Sequence, residues 1–122
     1  MNEQNRYLAV FTGHKDSAAR KAWDSLPEAE RAEKHRQGIS AWKAWAEQHR
    51  SVIDDEGGPV GKTKKVSRHG IDDIRNMMGA FTIVRAASPE AAAKLFENHP
   101  SFTIFPGDGV EVMPILPIPG QP

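Results

Sequence analysis

Two short segments carry large apolar residues on both alternations, and they decide what else the chain must supply. Tyr7, Leu8, Ala9, Val10 and Phe11 run unbroken through residues 6–12 and are closed by Gly13. Across residues 80–87, Phe81, Ile83 and Arg85 alternate with Thr82, Val84 and Ala86. Such runs mark strands that need a covering layer on each face. Helices of the same chain can supply one layer, and the second has to come from elsewhere.

The helices are signalled by their starts. Asp16 or Ser17 is placed to cap a short helical turn through Trp23. Ser25 with Glu28 has the form of a capping box, with Pro27 in the first turn. A long helix is expected to follow, with Ile39, Trp42, Ala46 and His49 recurring on one stripe and Trp45 beside them. Ser88-Pro89-Glu90 supplies an N-cap, a proline at the first helical position and an acid in the first turn. The second helix carries Ala92, Leu95 and Phe96 on one stripe and is expected to stop at His99-Pro100, because a residue before proline is pushed out of the α region.

Between the helices, Val52 and Ile53 are followed by Asp54, Asp55, Glu56, Gly57, Gly58 and Pro59, which read as punctuation. The second strand is then expected over residues 60–67, and residues 68–78 as a loop with a turn. Val110, Val112 and Met113 make the last strand, ending near Pro114. Pro114, Pro117, Pro119 and Pro122 keep the tail, 114–122, extended. The order β-α-β-β-α-β is the split βαβ pattern, an α+β sandwich with both helices on one face of a four-stranded antiparallel sheet. A chain of 122 residues suits one domain spanning 1–122. A second copy laid on the bare face is the simplest cover for its apolar residues, so a homodimer is expected, with any higher order left open.

Four stretches together resemble the YCII-related, DGPF-type proteins: Gly58-Pro59-Val60-Gly61-Lys62-Thr63-Lys64-Lys65-Val66-Ser67, Gly79-Ala80-Phe81-Thr82-Ile83-Val84, Ser88-Pro89-Glu90-Ala91-Ala92, and Val110-Glu111-Val112-Met113-Pro114. The resemblance implies a ferredoxin-like subunit in a dimeric α+β barrel, with a small-molecule pocket between sheet and helices near the subunit contact. Some members of that family pair a histidine at the start of the long helix with an aspartate. Here the histidine's place falls near Ala41, and the Asp-Pro that many show after the second helix reads His99-Pro100, so that dyad is not carried over.

Sixteen basic residues balance sixteen acidic ones, which gives no field to draw the chain to nucleic acid or to a membrane. No cysteine is present and residues 1–6 are polar, with no apolar run near the ~20 residues of a membrane span; the cytoplasm is the expected location. The five histidines show no His-x-x-x-His spacing, so no metal is implied, and no cofactor either. Gly61-Lys62-Thr63 is no phosphate loop, since Glu56 stands where its first glycine belongs. Lys62, Lys64, Lys65, Arg68 and His69 suit a solvated edge strand better than an anion site.

His14, just past Gly13, and His99, before Pro100, are the candidate catalytic pair, suited to acid–base work on a small organic molecule not identified by the sequence. Their plainer roles are a solvated loop residue for His14 and a cation at a helix C-terminus for His99. Tyr7, Trp42, Trp45, Phe81 and Met113 are candidate pocket-wall residues, with core packing as the alternative. Arg85, on a central strand, requires an anionic ligand or a salt-bridge partner, such as one across a dimer. Against the enzyme stand a non-catalytic ligand-binding or accessory subunit and an interaction module whose tail crosses to a neighbour.

Overall fold

A computed structural model describes residues 5–120; residues 1–4 of the polar N-terminal segment and 121–122 of the tail lie outside the described residues. The two double-sided apolar runs become the central strands. β1 (Asn5–Thr12) and β5 (Met78–Ala86) pair antiparallel, with Tyr7 opposite Val84, Ala9 opposite Thr82 and Phe11 opposite Ala80. β6 (Gly109–Pro114) adds beside β1 and β2 (Ile53–Pro59) beside β5, giving the order β2-β5-β1-β6, antiparallel throughout.

One face of this sheet carries the core. Tyr7, Ala9, Phe11, Ala80, Val84 and Ala86 are buried there against Trp45 of α2 (Glu28–Gln48), Ala92 of α3 (Pro89–Lys94) and Phe96 just beyond it. The Trp45 indole N–H donates to the Leu95 carbonyl at 2.8 Å, tying the two covering helices together. The result is a ferredoxin-like α+β sandwich, β1-α2-β2 followed by β5-α3-β6. Leu8, Val10, Phe81 and Ile83 alternate onto the opposite face and stay half-buried.

Starts and stops are partly as the sequence predicts. Ser17, rather than Asp16, caps α1 (Ala18–Asp24), its hydroxyl accepting from the Arg20 N–H at 3.0 Å. Ser88 caps α3 in the same way, accepting from Ala91 at 3.1 Å. The capping box at Ser25 does not form. The Ser25 hydroxyl turns back to donate to the Lys21 carbonyl at 2.8 Å and closes α1, while α2 begins after Pro27 with no side-chain cap.

The second strand lies earlier than expected. Residues 54–59, read as punctuation, form most of β2, because an edge strand bonded on one side tolerates the glycines, acids and proline that a central strand would not. β2 bulges where the register shifts between Asp55 and Gly58; Gly57 there has φ 61°, and a β-carbon on it would strike the Phe81 carbonyl. Residues 60–78 instead supply a separate hairpin, β3 (Thr63–Ser67) with β4 (Gly70–Ile74), turned at Gly70 and held by the Lys64–Asp73 ion pair at 2.6 Å. α3 ends at Lys94, well before His99, and His99 starts the short α4 (Pro100–Thr103) instead of ending a helix. In the tail, the Ile115 N–H still reaches the Arg6 carbonyl at 2.9 Å, and Leu116 and Ile118 beyond it are exposed.

Candidate functional site

The end of β1 is fastened from two directions. The Gly13 N–H donates to the Met77 carbonyl at 2.9 Å, and the Asp108 N–H donates to the Thr12 carbonyl at 2.9 Å. The Thr12 hydroxyl donates to the Gly109 carbonyl at 3.3 Å. The segment between α4 and β6 is thereby laid across the end of β1, and this crossing sets Asp108 Oδ2 3.5 Å from His14 Nε2. Both side chains keep solvent contact, His14 at 53% and Asp108 at 30%.

Gly107 makes the crossing feasible. Its N–H donates to the Ser101 carbonyl at 2.9 Å, and a β-carbon there would lie 2.5 Å from that carbonyl oxygen and 3.2 Å from that of Thr12. A side chain would push the crossing off β1 and part the pair.

Beside His14 opens a cavity of about 590 Å³. Phe11, Trp42, Phe105, Met77 and Met78 give it apolar walls, and His14, Lys15, Asn76, Ser101 and the Arg20–Asp24 ion pair line it with polar groups. A second cavity, of about 720 Å³, shares Phe11, Trp42, Pro59, Ala80 and Phe105 and adds Ile39, Trp45 and Phe81. Phe105 belongs to both walls because α2 has Gly38 beneath its ring, where a β-carbon would collide with it.

Behind the wall lies His99, with no exposed surface. Four aromatic rings surround it, with centroids 4.6 Å (Trp42), 4.8 Å (Trp45), 4.9 Å (Phe11) and 6.0 Å (Phe96) away. Its Nδ1 accepts from the Ser101 N–H at 2.9 Å, which puts the ring proton on Nε2. Burial, helped by the charge of His49, pushes its pKa down to about 4, so the ring is neutral near pH 7. Among the described residues, His99 Nε2 and Ser101 Oγ are buried without a hydrogen-bond partner.

The structure separates the candidate residues. His14 lines the first cavity, Trp42 lines both, and Trp45 and Phe81 line the second. His99 lines neither, and the reading of it as a cation at a helix C-terminus fails because burial keeps it neutral at the start of α4. Tyr7 is a core residue, 1% exposed. Met113 lies opposite Leu8 on the far face of the sheet. Arg85 is also there and finds its partner within the chain. Its guanidinium pairs with Asp54 and donates to the Ser51 carbonyl at 3.2 Å, while Arg6 holds the other Asp54 oxygen at 2.7 Å. These contacts, Arg6 foremost, hold the Asp54 carboxyl below its usual range.

Sequence reasoning missed Ser101, Phe105 and Gly107. Pro106-Gly107-Asp108 carries a turn signal, but nothing local shows that the turn folds onto β1. Among the described residues, no group of three or more His, Asp or Glu could hold a metal ion, and no helix is long and apolar enough to cross a membrane.

No family model and no curated protein sequence matches the chain. Among solved structures, it is similar to 5-chloro-2-hydroxyhydroquinone dehydrochlorinase from Burkholderia phenoliruptrix AC1100, in complex with 2,5-dihydroxybenzoquinone. The two are 18% identical, with a TM-score of 0.50 over 88% of this chain and 90% of the other, which shows a shared fold with an enzyme.

Proposed function

We propose that this chain is a distant YCII-related protein, one domain over residues 1–122, that binds a small organic molecule in the 590 Å³ cavity and moves a proton on it with His14. The observation that carries this reading is His14 on the lining of a cavity with aromatic and methionine walls, with Asp108 Oδ2 3.5 Å from its Nε2. A carboxylate beside one imidazole nitrogen leaves the other nitrogen to exchange a proton with a bound compound. Lys15, also on the lining, favours an anionic product or a ligand oxygen that gains charge, while Arg20 there is paired with Asp24 at 3.3 Å.

The fold shared with a dehydrochlorinase of hydroxylated rings supports hydroxylated aromatic rings and their quinones as the first compounds to try. The apolar far face, with Leu8, Val10, Phe81 and Ile83 in register, favours a homodimer in which a second copy supplies the missing layer. Ile83→Lys is expected to make a monomer by light scattering, and a dimer that survives it removes this assembly.

The test of the function is a thermal-shift screen with such rings, followed by turnover of whatever binds. His14→Asn should keep binding and lose turnover. A bound ligand consumed equally fast by the variant sinks the acid–base role, and a bound ligand left unconsumed by the wild type leaves a non-catalytic binding subunit.

A further inference from the structure

Ser101 has every polar group but one satisfied inside the protein. Its N–H donates to His99 Nδ1 at 2.9 Å and its carbonyl accepts from Gly107 at 2.9 Å. Its Oγ has no partner among the described residues, although the residue is only 6% exposed. A buried hydroxyl without a partner is unfavourable, and an alanine would fill the same place without that cost. His99 does not bond it: Nδ1 is engaged by the Ser101 backbone, and Nε2 is itself without a partner among the described residues. The residue lines the first cavity, where Phe11, Trp42 and Phe105 are the neighbouring aromatic walls.

We infer that Ser101 Oγ is the polar anchor of the cavity: it hydrogen-bonds a ring oxygen, a hydroxyl or a carbonyl, of a planar ligand lying against Phe11, Trp42 and Phe105. This rests on the reading of the cavity as the ligand site and adds the residue that sets specificity within it. A hydroxyl both donates and accepts, so it receives a phenol and a quinone oxygen equally and penalises a ring with a methyl group at that position. Ser101 is a binding residue, at the inner wall, while His14 and Asp108 stand nearer solvent.

The test compares p-cresol with p-xylene, two rings of one shape that differ by a hydroxyl. Dissociation constants are measured by ligand-observed NMR for the wild type and Ser101→Ala, with melting temperature as the control for folding. Ser101→Ala should melt at or above the wild-type temperature, because the hydroxyl it removes has no partner. The ratio of the p-cresol constant to the p-xylene constant should rise about five- to tenfold in the variant, through weaker p-cresol binding alone. A ratio that stays the same while both rings bind overturns the anchor and leaves the cavity standing. Failure of both rings to bind the wild type overturns the anchor and the cavity reading together.

Discussion

His14 and His99 lie on two sides of the same aromatic wall, and their surroundings are opposite. His14 is half in solvent and has a carboxylate 3.5 Å away. His99 has no solvent, no carboxylate and four rings about it, and its pKa falls to about 4. An imidazole is made useful by a partner that stabilises its charge and by a path to substrate; burial without such a partner takes its charge away and leaves a packing group. The chain places one histidine in each condition within a few side chains of each other.

The contrast breaks most visibly in turnover. His14→Asn should lower kcat/KM by about 10²–10⁴, the usual reach of a general acid or base, while His99→Phe should act mainly on stability. Steady-state kinetics on the first ring found to react would show it, and equal losses in both variants would erase the distinction. The next effect is in pH. Because the His99 pKa is about 4 in the folded chain and near 6.5 when unfolded, the unfolded state binds the extra proton as pH falls. Stability is therefore full above about pH 6.5 and drops by up to about 3 kcal/mol toward pH 4, where the folded state is protonated too. Urea melts of the wild type and His99→Phe across that window should differ by this slope, and parallel curves would contradict the buried-neutral state.

A smaller change sharpens the side of His14. Gly107→Ala should cost about 2 kcal/mol, since the β-carbon meets the Ser101 and Thr12 carbonyls. The NMR signals of the His14 ring should then no longer respond to Asp108→Asn, because the crossing no longer presents the carboxylate. The smallest effect is expected at the other charged cluster, on the far face. Arg85→Met removes a partner from Asp54, which keeps Arg6, and partly exposed ion pairs of this kind contribute little to stability. A loss of several kcal/mol in a urea melt would mean that exposure does not govern these pairs as it does the histidines.

What the sequence showed and hid follows the range of the interactions. β1, β5 and β6 were legible because apolar alternation is a local pattern, and Ser88 because a cap acts within three residues. β2 was hidden because its residues, Asp54 to Pro59, are acceptable only at an edge, and which strand is an edge is decided by the whole sheet. The Ser25-Glu28 box failed for the related reason that Ser25 was better used to close α1. His14 could be placed at the end of β1 from Gly13 alone. Ser101 could not be recognised, since its hydroxyl is left unpaired by the fold of residues 105–109 over it, and that fold depends on contacts to Thr12 far away in the chain.

The lashing of residues 107–109 to β1 also governs how anything enters or leaves. Asp108 is bonded to Thr12, Gly107 to Ser101, and Gly109 already belongs to the sheet, so this side of the doorway is part of the frame and cannot swing without unzipping β6. Phe105, packed over Gly38, is a wall common to the two cavities, so whatever fills either one meets this ring and a frame that the sheet holds in place.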